Sequence, residues 1–407
     1  MSTPNPGDET RRFVVRSGGG SEWSLRRRAR AVIGPHGAGA HGRGTGAGRF
    51  DLTLSENPFP PLPSVMEALN SAAARANRYP EFLPERLPRL IADRVGMDAD
   101  EVVVGAGATG VALQIMQTLA GPGRAMVFAS PTFDGYPVMA AMAELETVAV
   151  PLDSSGRQDL WEMARAIGED TALVAVCRPH NPTGTVVPAS ELKAFLFGVP
   201  RHIPVILDEA YAEFLSVEEM LDPRALIARY PNLLILRTFS KAYGLAGLRI
   251  GYALGNRDLV RRVRRLQVPF GTPETATAAV AASYAATTEL NERVLRITVQ
   301  REILRTSLRR SGIRVPRSRG NFLYLPGPGM VETLTRAGIA VKGYADGSAR
   351  VAVGDPAADR AVERALCGPP LVRVERATAE ESGVYSLTAP ADPERTRSSV
   401  SRFRANW

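Results

Sequence analysis

Lysine is the scarcest charge in this chain. Its 407 residues carry fifty basic side chains, of which Lys193, Lys241 and Lys342 are the only lysines. Where a plain positive charge suffices, the sequence uses arginine. A position that keeps lysine asks for an amine able to shed its proton, which a guanidinium in practice does not do. Cysteine is scarcer still: Cys177 and Cys367 stand far apart and without C-x-x-C spacing. That argues against a disulfide framework or a zinc site and fits a reducing compartment, so a cytoplasmic location is expected. The four histidines, His36, His41, His180 and His202, lack metal-ligand spacing, and no metal is expected. No apolar run approaches the roughly 20 residues that cross a bilayer, and no membrane association is expected.

The net charge of +8 is unevenly placed. Residues 1–50 hold nine arginines against Asp8, Glu9 and Glu22, a surplus of six, which leaves two for the rest (8 − 6). Most of the excess therefore sits in a Gly/Arg-rich arm with few core-forming residues, expected to be a disordered, solvated extension. Nucleic-acid contact is the minority reading of that arm. It lacks the apolar segment that a secretory signal would need after its RRR run.

From Asp51 onward the pattern is that of a folded enzyme. EVVVGAGATGVALQIMQTLA reads as strand, glycine turn and helix, and similar alternations recur through RAMVFASP, DGYPVMAAMAEL, ETVAVPL and QDLWEMARAI. VILDEA and LLILRT are apolar on both faces, as strands covered by helices on two sides should be. Polar residues gather where these strands end, the edge at which open parallel sheets bind ligands. After about Phe270 a long helical stretch leads to a short α+β segment with strand-like GNFLYLPG and ARVAVGDP. The expected division is an arm at 1–50, a segment at 51–75 that joins a small domain, a large domain at 76–270, a linker helix with the small domain at 271–368, and a tail at 369–407.

Lys241 stands in RTFSKAYGLAGLRIG, between hydroxyls and a glycine-rich run ending near Arg249. HNPTG places Asn181 after a buried strand, LDEAY places Asp208 and Tyr211 after another, and LRTFSK brings Thr238, Ser240 and Lys241. Four consecutive strand ends are expected to face one crevice. That inventory suits pyridoxal 5'-phosphate: an amine for its aldehyde, a carboxylate for its pyridine nitrogen, and donors for its ring oxygen. The GAGATG turn opens a helix whose free N–H groups could receive the phosphate.

Taken in order, ENPFPP, NRYPE, GAGA, HNPTG, DEAY, TFSKAYGLAGLRIGY and GNFLYLPG resemble a fold-type-I pyridoxal-phosphate aminotransferase of the histidinol-phosphate aminotransferase family, nearest its aromatic amino acid branch. The resemblance covers about Asp51 to Asp359. It implies an α/β fold with a mostly parallel seven-stranded sheet between helices and a smaller α+β domain. It implies that Lys241 holds the cofactor as an imine and then shuttles a proton, that Asp208 pairs with the ring nitrogen, and that Asn181 and Tyr211 bond the ring oxygen. Phe133 would stack on the ring. Gly107, Ala108, Thr109, Thr238, Ser240 and Arg249 would hold the phosphate, and Tyr79 would reach the phosphate of a second subunit in a homodimer with shared active sites. Arg350 would take the carboxylate of the amino acid or 2-oxo acid substrate, with Asn57 and Lys342 also on the substrate side. Lys342 occupies a position where the family usually has arginine, which weakens a forked phosphate contact and makes histidinol phosphate a poorer substrate.

Blander readings stand beside these. Asp208 could cap a helix, GAGATG could be a plain connecting turn, Phe133 could be core, and His180, tempting as a base beside Asn181, fits a turn role better. Two other functions compete with amino transfer. One is another reaction on the same scaffold, such as decarboxylation of an amino acid, because fold does not fix reaction. The other is a transcriptional regulator, which would need a helix-turn-helix that the arm does not resemble.

Overall fold

The computed structural model describes residues 50–368; the arm expected at 1–50, but for its last residue, and the tail expected at 369–407 lie outside the described residues. Among the described residues eleven strands are formed: β1 Phe50–Leu52, β2 Val102–Ala106, β3 Ala125–Ser130, β4 Glu146–Pro151, β5 Thr171–Cys177, β6 Val205–Asp208, β7 Leu233–Thr238, β8 Ile250–Gly255, β9 Phe322–Leu325, β10 Ile339–Gly343 and β11 Ala349–Ala352. Seven build one sheet in the order β2-β8-β7-β6-β5-β3-β4. All neighbours in it are parallel except β8, which runs against both β2 and β7. The expected α/β architecture with a mostly parallel seven-stranded sheet is therefore present.

Strand periodicity explains why this sheet is covered twice. Val127, Ala129, Val174, Val176, Val205, Leu207, Leu233 and Ile235 enter one core cluster. The residues between them, Met126, Phe128, Leu173, Ala175, Ile206, Leu234 and Leu236, enter the other. Alternate side chains point to opposite faces, so unbroken apolar runs such as TALVAVC bury both. The connecting helices obey local signals. Pro223 and Pro356 open helices capped by the Asp222 and Asp355 side chains, and the helix Arg86–Val95 stops at Gly96 in a left-handed conformation.

The smaller sheet has the order β1-β10-β11-β9. β1 lies parallel to β10 with Phe50 opposite Ile339. β11 is antiparallel to both of its neighbours, placing Arg350 opposite Lys342 on one side and Tyr324 on the other. The long helical stretch after Phe270 is two helices, Glu274–Ala285 and Thr287–Arg310, broken at Ala286. Among the described residues no helix is long and apolar enough to cross a membrane, and Cys177 and Cys367 are both free thiols.

Candidate active site

Parallel strands end on one edge, and the predicted site residues collect there. Lys241 follows β7, Asp208 closes β6, Asn181 follows β5 and Phe133 follows β3. These four strands are neighbours in the sheet. The fourth strand end is thus β3 with Phe133, beside the three that LRTFSK, LDEAY and HNPTG supplied.

Lys241 is the hub. Its Nζ donates to the Ser55 carbonyl at 3.0 Å and to Ser55 Oγ at 2.9 Å. Ser55 Oγ in turn lies 2.7 Å from the buried Tyr211 hydroxyl. Desolvation pushes the amine down to about 7, aided by the positive charges of Arg350 and Arg249 and opposed by Glu56 and Asp208. Near neutral pH a large share of this amine is therefore uncharged, as a nucleophile needs. Asp208 is buried, and burial raises its pKa against the donors Tyr136 hydroxyl, at 2.8 Å to Oδ2, and Ala210 N–H, at 2.9 Å to Oδ1. Burial lifts Tyr211 to about 12, so its hydroxyl stays protonated.

The anion cradle forms where β2 turns into the helix Gly107–Leu119. Its first-turn N–H groups, at Ala108 and Thr109, have no partner within the helix. Arg249, held at a positive φ of 51°, bends over this turn and donates to Thr109 Oγ1 at 3.3 Å. Gly251 makes the approach possible, because a Cβ there would sit 2.1 Å from the Ala108 nitrogen. Ser240 Oγ accepts from Thr238 Oγ1 at 3.0 Å, which leaves the Ser240 proton free to donate.

On the facing sheet, Arg350 donates from one Nη to Asn181 Oδ1 at 2.7 Å and from the other to the Thr53 carbonyl at 2.8 Å, while its buried Nε has no partner. A fixed guanidinium with an unspent N–H is ready for a carboxylate. Lys342 Nζ meets Asp134 Oδ2 at 2.6 Å, next to Phe133, whose ring packs edge-on against Tyr136 at 5.8 Å.

Several assignments change. Asn57 was expected on the substrate side, but its amide donates to the carbonyls of Lys241 and Ala242 at 3.0 and 2.9 Å and its oxygen accepts from Phe59 N–H. With both ends engaged, it positions the Lys241 backbone. The Thr238 hydroxyl is spent on the Ile250 carbonyl and Ser240, so it buttresses Ser240 instead of meeting an anion. Tyr79 is 85% exposed and packs on Phe270 at 4.9 Å. His180 is buried with Nδ1 2.9 Å from Thr183 Oγ1, and burial holds its pKa near 3, which suits the turn role and not a base. Four residues escaped sequence reasoning: Ser55, Tyr136, Asp134 and Asn321, whose amide donates to the Ser55 and Glu56 carbonyls at 3.1 and 2.9 Å. Ser55 and Asn321 lie beside or within the quoted ENPFPP and GNFLYLPG, a signal of place though not of role.

Pyridoxal phosphate fits what is present: a near-neutral amine, a buried carboxylate, an aromatic face and an anion cradle. Fold and site together define an α/β enzyme that works through a lysine-held aldehyde cofactor. The model of the family "Aminotransferase class I and II" matches residues 48–365. An aromatic amino acid aminotransferase of Cutibacterium acnes is 40% identical over 327 residues, covering 79% of this chain and 93% of the relative. One of the same name from Streptomyces coelicolor is 40% identical over 314 residues, covering 76% and 88%. The crystal structure of histidinol-phosphate aminotransferase from Sinorhizobium meliloti in complex with pyridoxal-5'-phosphate superposes with a TM-score of 0.74 at 28% identity, covering 79% of this chain and 90% of that one. The chain belongs to the class I and II aminotransferase family. It is a transaminase, and the cofactor of its family is pyridoxal 5'-phosphate.

Proposed function

We propose that this transaminase takes L-amino acids with aromatic side chains and passes their amino group to a 2-oxo acid in a ping-pong cycle, as a cytoplasmic homodimer with shared active sites. The observation that carries the substrate is the wall around Arg350. Directly opposed residues of antiparallel strands share a face, so Tyr324 and Lys342 project beside Arg350. Arg350 lies 5.5 Å over the Phe322 ring, and Tyr324 and Tyr344 pack at 5.8 Å. A carboxylate seated on Arg350 would lay its side chain along aromatic rings. The names of the relatives agree with this reading.

The bound cofactor supplies an aldehyde and an electron-withdrawing ring that stabilises charge at the substrate α-carbon. This chain's residues do the rest. Arg350 would orient the substrate by its carboxylate, Asp208 would hold the ring-nitrogen proton, Phe133 would cover the ring, and Tyr211 with Asn181 would donate to the ring oxygen. Ser240, Arg249 and the amides of Ala108 and Thr109 hold the phosphate. Lys241 Nζ, tuned near neutrality, would take the proton from the α-carbon and deliver it to the carbon that was the cofactor's aldehyde. The exposed apolar ridge of Tyr79, Phe82 and Phe270 supports the homodimer. The two sheets support the division into a large part, 76–270, and a small part, 271–368, with 51–75 joined to the latter.

The test is a half-reaction. L-Phenylalanine or L-tyrosine added to the holoenzyme without acceptor should convert the cofactor stoichiometrically to its amine form, with release of the aromatic 2-oxo acid and no carbon dioxide. Carbon dioxide release, or conversion only by non-aromatic donors, overturns the reading.

A further inference from the structure

A ping-pong enzyme admits two different substrates to one site in turn, and this inference rests on the aromatic reading above for one of them. The far end of the site carries an unusual charge arrangement. Lys342 stands directly across from Arg350 in the β10/β11 ladder, so two cations share one face of the small sheet. Their tethers differ. Arg350 is 7% exposed and fixed by Asn181 and the Thr53 carbonyl. Lys342 is bound only from outside its sheet: its Nζ pairs with Asp134 Oδ2 at 2.6 Å and lies 5.8 Å from the Tyr344 ring centre. The Lys342 and Asp134 side chains are 36% and 58% exposed. An ion pair that open to solvent contributes little and exchanges readily for another carboxylate.

Asp134 also belongs to the cofactor side of the crevice, because it follows Phe133 and precedes the helix Gly135–Met142. Lys342 links these groups, since it pairs with Asp134, lies by the Tyr344 ring and stands opposite Arg350. With Lys342 parked on Asp134, the far end of that space is electrically neutral and lined by rings, which suits an uncharged aromatic side chain. A substrate with a second carboxylate presents Lys342 with an alternative partner at the same end.

We propose that Asp134 is a positioning residue for substrate choice: it parks Lys342 while an aromatic side chain occupies the site and yields it to the distal carboxylate of a dicarboxylic co-substrate. Exchange of one carboxylate for another keeps the Lys342 charge paired throughout. The cost to the dicarboxylate is competition with Asp134 for the amine. Removing the Asp134 charge should therefore favour dicarboxylates selectively, and only while Lys342 is present.

Calorimetric titration of the holoenzyme with two unreactive ligands tests this. Glutarate stands for the dicarboxylic co-substrate and 3-phenylpropionate for the aromatic one. Asp134→Asn should tighten glutarate binding about fivefold to tenfold and change 3-phenylpropionate by no more than about twofold. In the double variant Asp134→Asn, Lys342→Met the gain for glutarate should vanish, and Asp134→Asn, Lys342→Arg should restore it. Glutarate affinity within twofold of the wild type in Asp134→Asn, or a gain that survives Lys342→Met, overturns the proposal. Failure of the wild type to bind 3-phenylpropionate instead counts against the aromatic reading, and the glutarate comparison remains readable on its own.

Discussion

Ser55 and Lys241, 186 positions apart in sequence, meet through two hydrogen bonds: Lys241 Nζ donates to the Ser55 carbonyl and to its hydroxyl. The same hydroxyl lies against Tyr211, so one serine orients both groups that flank the reacting centre. Ser55→Ala removes an acceptor from the amine and a partner from a buried phenol. A neutral hydrogen bond is worth about 0.5–1.5 kcal/mol net, and leaving the buried phenol without its partner costs about 1–3 kcal/mol. Steady-state kinetics should show kcat reduced at least about tenfold, with KM altered far less.

The amine itself should titrate early. Burial sets Lys241 near 7 in the folded, cofactor-free protein, below its ordinary value of 10.5. Reductive methylation followed by peptide mapping should therefore show Lys241 labelling with a midpoint near pH 7. The linkage has a definite sign. Between these two values the unfolded chain binds the proton and the folded chain does not, so this group makes the cofactor-free protein more stable as pH rises from about 7. A midpoint near 10 would remove the electrostatic basis of the proposed role.

Gly251 is a steric requirement of the anion cradle. A Cβ there would meet the Ala108 nitrogen at 2.1 Å and the Gly107 carbonyl carbon at 2.3 Å, both backbone atoms that cannot swing aside. Gly251→Ala should displace the start of the helix Gly107–Leu119, at a cost of about 1–3 kcal/mol from overpacking. Equilibrium dialysis should find cofactor affinity weakened at least about tenfold, with a lowered Tm.

Tyr136 supports Asp208 in its ionised form by donating to Oδ2. Tyr136→Phe removes a donor that lowers the Asp208 pKa, so that pKa rises further. Cofactor binding should weaken, and its acid limb should move to higher pH. A binding profile that superposes on the wild type would show that Asp208 does not depend on this contact.

The proposed sharing of active sites permits a complementation test. Lys241→Ala should be inactive and Tyr79→Ala severely impaired, yet a mixture refolded together should recover activity, because a mixed dimer contains one site with both residues intact. Mixtures no better than the sum of their parts would argue against the reach of Tyr79 into a neighbouring subunit.

Much of this was legible in the sequence because parallel strands announce themselves: TALVAVC, VILD and LLILRT are apolar on both faces and end in polar residues that can only lie on one edge. Lys241, Asp208 and Asn181 follow directly. β8 was harder to read, since RIGYALG carries two glycines and its antiparallel place between β2 and β7 depends on β2, a strand far earlier in the sequence. Asn57, Ser55 and Asn321 resisted for a related reason. Asn57 and Asn321 donate to backbone carbonyls and Ser55 accepts in part through its own, across 184 to 266 positions of sequence, and a backbone atom leaves no trace in residue identity. The Lys342–Asp134 pair joins two such distant segments, so only the fold reveals that a lysine expected to face substrate already has an acidic partner.

The central claim is that Lys241 alone bears the cofactor. Borohydride reduction of the holoenzyme, followed by proteolysis and mass spectrometry, tests it directly. The account predicts one pyridoxyl-phosphate adduct per chain, on the Lys241 peptide, and none in Lys241→Ala. An adduct on Lys193 or Lys342, or an unmodified Lys241 peptide from cofactor-saturated protein, would contradict it.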